Sequence, residues 1–111
     1  MNIFKRLWRR IFPRRPDLEL SFVEGDTPPE NLSPGHLVVA KEGDELWAAA
    51  LLCPCGCGER IELALIDAAN TKWHLVSKDR LSPTLHPSVW RKTGCRSHFW
   101  VRSGKIVWCA E

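Results

Sequence analysis

Three cysteines stand in the run Cys53-Pro54-Cys55-Gly56-Cys57-Gly58, and a second group, Cys95-Arg96-Ser97-His98, follows about forty residues later. No other feature constrains the fold as much, because a metal ion held by both stretches pins two distant segments to one point and turns binding energy into folding energy. Zinc takes four tetrahedral ligands and favours thiolates and imidazoles. Gly56 and Gly58 permit the backbone bend that aims neighbouring sulfurs at one ion. The candidate ligands are Cys53, Cys55, Cys57 and Cys95, with His98 as an alternative should one clustered sulfur stay off the metal. A disulfide framework is the rival reading, disfavoured because Cys53, Cys55 and Cys57 are too close together to pair comfortably and no secretory apolar region is evident. Cys109, closing an alternating apolar segment, reads as a small buried hydrophobe.

The chain has 111 residues, room for one domain with a modest core that a metal cross-link would support. Its formal charge of +3 is unevenly spread. Met1 to Arg15 carries six cations and no acid, which leaves ten Lys and Arg against thirteen acids, a net of −3, for everything after it. The remainder therefore offers no basic face for a phosphate backbone, and nucleic acid is not an expected partner. Within the basic segment Ile3, Phe4, Leu7, Trp8, Ile11 and Phe12 recur at helical spacing. This predicts a basic amphipathic helix over 1–15, ended by Pro13 and Pro16, that packs on the domain, docks on a partner or lies on an anionic membrane surface. The longest apolar run, Leu46 to Cys53, is too short to span a bilayer. The expectation is a cytoplasmic protein, with residues 1–15 as a contact to a membrane periphery or a partner.

Beyond residue 16 the pattern is that of strands. Leu18, Leu20 and Phe22 alternate with polar residues, and a Pro-rich loop follows to residue 36. Leu37 to Ala40, the arm from Glu45 into the cysteines, Glu59 to Leu65, and Trp73 to Val76 read as further strands, with turns at Glu42-Gly43-Asp44 and at the cysteine run itself. Leu81 to Trp90 is extended and reads as an edge, since its prolines lack a ladder donor. Two arms around Ser103-Gly104 make a last hairpin. The predicted class is mainly β: a small antiparallel zinc-ribbon-like domain over 37–111, a strand and Pro-rich loop over 16–36, and the helix in front. Trp47, Trp73, Trp90, Trp100 and Trp108 are expected as core or zinc-shielding aromatics, and His74 and His86 as surface or edge residues.

The combination CPCGCGE (53–59), Thr84-Leu85-x-Pro87-Ser88, Cys95-x-Ser97-His98-Phe99 and Gly104-x-Ile106-x-Trp108 resembles a family of small bacterial proteins formerly described only as a domain of unknown function. The resemblance covers roughly residues 37–109, and its family includes the serine-type peptidase component of bacterial ubiquitination-like (Bub) operons, encoded beside ubiquitin-like proteins and E1-like and E2-like enzymes. It implies a zinc-stabilised peptidase that matures or deconjugates a ubiquitin-like protein, with that protein and its E1- and E2-like enzymes as partners.

If four cysteines fill the metal site, His98 is left over and can serve as a base. Ser88, in the extended Thr84 to Ser88 segment, is the first candidate nucleophile with His98 as its base. Ser97 is the second, although adjacent residues of a strand point to opposite faces and a direct Ser97 to His98 bond is disfavoured. If one clustered cysteine stays off the metal and His98 binds it, His98 is unavailable as a base. A separate metal-dependent variant has an open fourth position holding a water that attacks the same bond. The alternative to an enzyme is a non-catalytic zinc-ribbon-like adaptor that holds a ubiquitin-like, E1-like or E2-like partner.

Overall fold

The computed structural model describes residues 17–66 and 72–109, and the helix expected over 1–15 lies outside them. The described residues form eight strands and no helix: β1 (Glu19–Glu24), β2 (His36–Glu42), β3 (Glu45–Leu52), β4 (Arg60–Ala64), β5 (His74–Ser77), β6 (Thr84–Trp90), β7 (His98–Arg102) and β8 (Lys105–Trp108). They make two four-stranded sheets, ordered β1-β2-β3-β4 and β5-β6-β7-β8. All neighbours are antiparallel except β1 and β2, which run parallel.

The period-two pattern decides which faces meet. In the first sheet Leu20, Leu37, Val39, Ala49, Leu51, Ile61 and Leu63 share one core with Leu75, Leu85, Val89, Phe99 and Val101 of the second. Removing those faces from water is the main drive for the two sheets to associate. The amides of Asp17 and Leu18 donate to the Gly104 carbonyl, and that of Leu20 to the Arg80 carbonyl, stitching the start of the first sheet to the second. The first sheet's other face is also apolar, with Val38, Ala40, Ala48 and Ala50 buried. A parallel β1–β2 pair needs a crossover, and residues 25–35 supply it: Pro28 is buried, and Arg60 on β4 donates to the carbonyls of Pro28, Pro29 and Glu30.

Two expectations are corrected. The stretch read as an edge because of its prolines contains β6, which is a central strand between β5 and β7. Its prolines fall where no ladder donor is required. Pro83 precedes the strand, and Pro87 lies in a register shift where the step from Leu85 to Val89 opposes only that from Val101 to Phe99. The tryptophans are likewise not fully buried: the core is aliphatic apart from Phe99 and Cys53, and among the indoles Trp73 packs against it while half-buried. Trp90 and Trp108 are each 52% exposed, and Trp47, Trp73 and Trp100 are half-buried. Leu, Val, Ile and Phe already fill the positions facing each other between the sheets, and Trp90 and Trp100 lie on the outer face of the second sheet.

Three turns anticipated from the sequence are formed. Gly43-Asp44 joins β2 to β3, residues 53–59 make the tip between β3 and β4, and Ser103-Gly104 joins β7 to β8. Ser103 and Gly104 both have positive φ, 50° and 77°, the conformation that a two-residue hairpin turn requires.

Candidate metal centre and serine–histidine pair

The first cluster is built by two strand connections that meet at one end of the sandwich. Cys53 to Glu59 forms the β3–β4 tip, closed by the Cys53 amide donating to the Glu59 carbonyl at 2.8 Å and the Gly56 amide to the Cys53 carbonyl at 3.1 Å. Gly56 has φ of 90°, a conformation that residues with a side chain rarely adopt, and this turns the chain back so that Cys53, Cys55 and Cys57 face one centre. Arg91 to Ser97 forms the β6–β7 connection, closed by the Arg91 amide donating to the Ser97 carbonyl at 2.7 Å. It brings up Cys95.

The Sγ atoms of Cys53, Cys55, Cys57 and Cys95 all lie within 4.8 Å of one another, and His98 is not part of the group. Cys53 Sγ is 3.4 Å from Cys55 Sγ and 3.6 Å from Cys95 Sγ. A tetrahedron with metal–sulfur bonds of about 2.3 Å has edges of about 3.8 Å, so the donor set fits a single tetrahedral ion without rearrangement of the fold. These four sulfurs could hold a metal ion. Ser97 is the buried polar side chain of the cluster; its Oγ accepts from Cys53 Sγ at 3.5 Å and lies 3.2 Å from Cys95 Sγ, where its proton would be donated to one thiolate once the sulfurs hold an ion. Arg91 adds a cation 3.9 Å from both Cys57 and Cys95 sulfurs and 3.9 Å from the Glu59 carboxylate.

The thiols do not ionise alike. Bonds from the Ser97 side chain and amide hold Cys95 down at about 6, and the Ser97 side chain with Cys53 also lowers Cys55. For Cys57 the Glu59 amide acts downward, but desolvation and the Cys55, Cys95 and Cys53 sulfurs outweigh it and push the thiol up to about 11. Close sulfurs cannot all be anionic without a compensating cation, which a divalent metal supplies.

The second cluster lies on the outer face of the second sheet. Val89 and Phe99 point into the core, so Ser88 and Trp90 on β6 and His98 on β7 point away from it. Trp90 and His98 are register partners, which makes Ser88 the diagonal neighbour of His98. Ser88 Oγ is 2.9 Å from His98 Nε2. The register shift that accommodates Pro87 lies just before Ser88, whose diagonal placement follows from the regular Val89–Phe99 and Trp90–His98 pairing. The Trp73 indole N–H donates to the Ser88 carbonyl at 3.3 Å and holds the irregular backbone. Trp90 stacks on the imidazole, with centroids 5.0 Å apart and planes at 16°.

The structure thus separates the sequence candidates into two groups. Cys53, Cys55, Cys57 and Cys95 come together, and Ser97 sits with them. Ser88 and His98 come together elsewhere, with Ser97 facing the sulfurs instead of the imidazole. Cys109 is half-buried and apart from the sulfur group, its amide donating to the His98 carbonyl at 2.9 Å. His74 and His86 are exposed, although His86 packs against Trp100 at 5.3 Å. Arg91, Trp73 and Trp90 were not singled out as site residues. Arg91 and Trp90 flank the cysteine and serine motifs, which is the one signal that could have found them.

No curated protein and no solved structure matches the chain. A family model does, over residues 23–109, and it extends upstream of the 37–109 resemblance into β1 and the crossover. With that span matched by the model described as the bacterial ubiquitination-like system serine protease (BubE), the chain belongs to this family.

Proposed function

We propose that this protein is a serine peptidase that cleaves at the C-terminal tail of a ubiquitin-like protein, with Ser88 as nucleophile, His98 as base and zinc as a structural ion. The observation that carries the reading is the 2.9 Å contact between Ser88 Oγ and His98 Nε2, made outside a cysteine cluster that already has four ligands of its own. A four-thiolate site is closed, with no position for a reactive water, and His98 is free for acid–base work. The cysteine knuckle is read as zinc-ribbon-like, a metal-tied pair of turns at the end of a larger sandwich. When bound, zinc supplies a cross-link between the β3–β4 tip and the β6–β7 connection, and it takes no part in the reaction.

The chemistry follows from the pair. Ser88 Oγ attacks the carbonyl carbon of the tail's scissile bond while its proton passes to His98 Nε2. The tetrahedral intermediate collapses as the imidazolium returns that proton to the leaving amine, and the tail remains esterified to Ser88. Water then gives a proton to His98 and attacks the ester, releasing the tail carboxylate and restoring the Ser88 hydroxyl. Maturation and deconjugation differ only in the amine that leaves. The family's place in a ubiquitination-like system supports E1-like and E2-like enzymes as pathway partners.

Purified protein incubated with a tail-extended ubiquitin-like substrate tests the reading. Ser88→Ala is expected to abolish cleavage, and His98→Ala to slow it by roughly 10²–10⁴-fold. Unchanged cleavage by Ser88→Ala would remove the mechanism. The non-catalytic adaptor remains the outcome if the unmodified protein binds the substrate but never cuts it.

A further inference from the structure

We propose that Trp90 is a positioning residue for the His98 imidazole, filling by stacking the orienting role that a carboxylate fills in a serine–histidine–aspartate triad. The inference rests on reading Ser88 and His98 as nucleophile and base. Among the described residues, the side-chain hydrogen bond to the His98 ring comes from Ser88, and no carboxylate is bonded or ion-paired to it. A base that accepts a proton through Nε2 still has to be kept from rotating, because its second torsion is soft and broad. The Trp90 indole does this from the neighbouring strand. The rings lie nearly parallel, 16° apart, with centroids at 5.0 Å, and the two residues are cross-strand register partners.

Turning the imidazole about its Cβ–Cγ bond would drive its edge into the indole face, so the stack keeps Nε2 directed at Ser88. Trp90 is itself restrained: the Lys92 ammonium lies 5.2 Å from its ring centroid. Its 52% exposure is therefore not that of an idle surface side chain, because one face carries the base. The stack also contributes what a carboxylate does not, an apolar cover over one face of the imidazole. Displacing a catalytic group by about 1 Å can cost 10²-fold in rate, so holding a ring in place is an effect of measurable size.

The test compares the full-length protein with Trp90→Ala, Trp90→Leu and Trp90→Phe by steady-state cleavage of the tail-extended substrate, by the rate at which a fluorophosphonate labels Ser88, and by the ring-nitrogen NMR signals of His98. The Ala and Leu variants are expected to lose roughly 10–10²-fold in kcat with KM little changed. Labelling should slow in parallel, and His98 should lose the ring-current shift from the indole. Trp90→Phe, which restores a stacking face, should recover most of both rates. A rise in KM at unchanged kcat would make Trp90 a substrate platform and overturn the proposal, as would a Phe variant as slow as the Leu one. Melting temperature and bound zinc equal to the parent's separate positioning from folding. A parent protein that neither cleaves nor labels would bring down the serine-peptidase reading and this one with it, whereas a labelled parent with an equally fast Trp90→Ala would bring down this one alone.

Discussion

At the scale of single residues, two serines nine positions apart have opposite surroundings, and their chemistry follows from that. Ser88 meets an imidazole nitrogen on an outer sheet face, and Ser97 is buried against two sulfurs. Ser97→Ala should therefore leave the Ser88–His98 pair in place and weaken the metal site, because it removes a hydroxyl that stabilises thiolate charge. Loss of an outer-shell partner of this kind typically costs 10–100-fold in metal affinity, measurable by competition with a chromogenic chelator. Equal zinc affinity with lost cleavage would reverse the assignment of the two serines. Gly56 carries a second residue-scale prediction. Its φ of 90° is disfavoured for any side chain even though an added Cβ would meet no atom within 4 Å. Gly56→Ala should cost roughly 1–2 kcal/mol from backbone strain alone, read as a lower denaturation midpoint of the zinc-loaded protein.

At the scale of elements, β6 and β7 carry the candidate site and the rest of the sandwich holds them still. Phe99 faces Val89 across the two strands and is fully buried between the sheets. Phe99→Ala should destabilise the protein by about 3–5 kcal/mol, since a cavity is left where the sheets meet. Chemical denaturation would check this, and a loss below 1 kcal/mol would mean that the two sheets do not depend on this contact. How much was legible depended on whether alternation survives. It does through β4 and β7, where buried Ile61, Leu63, Phe99 and Val101 alternate with residues on the outer face, whereas β2 and β3 are continuous apolar runs buried on both faces that the turns beside them delimit. It fails in β6, where extra residues between Leu85 and Val89 break the period-two mapping at Pro87, exposed although it lies two residues from both buried Leu85 and buried Val89. The prolines that suggested an edge are accommodated by that irregularity.

At the scale of the whole molecule, the cysteine cluster ties the first sheet to the second through connections that otherwise belong to different sheets. Chelation should then loosen the β6–β7 connection and with it the alignment of His98 on Ser88, so cleavage and folding cooperativity should be lost together and return together on adding zinc. Activity lost with an unchanged unfolding transition would argue for a catalytic ion. Acid should act in the same direction as the chelator. With Cys57 pushed up to about 11, the metal-free site holds that proton at neutral pH and must release it when the ion binds. With Cys95 held at about 6, a further proton competes as the pH falls toward that value. Zinc titration in a weakly buffered solution at pH 7.5 should release at least one proton, more near pH 6, and the affinity should fall accordingly.

The sequence by itself determined that the chain is mainly β, that the cysteine run is a hairpin tip and that Cys95 belongs with it, because soft-ligand chemistry, turn stereochemistry and strand periodicity are local properties written in adjacent residues. Only the tertiary structure decided that β6 is central, that the sheets stack into a sandwich with most indoles outside it, and that Ser88 and not Ser97 faces the imidazole. Those outcomes depend on register between strands distant in sequence and on a break in alternation, and a one-residue change in register turns every side chain of a strand to the opposite face.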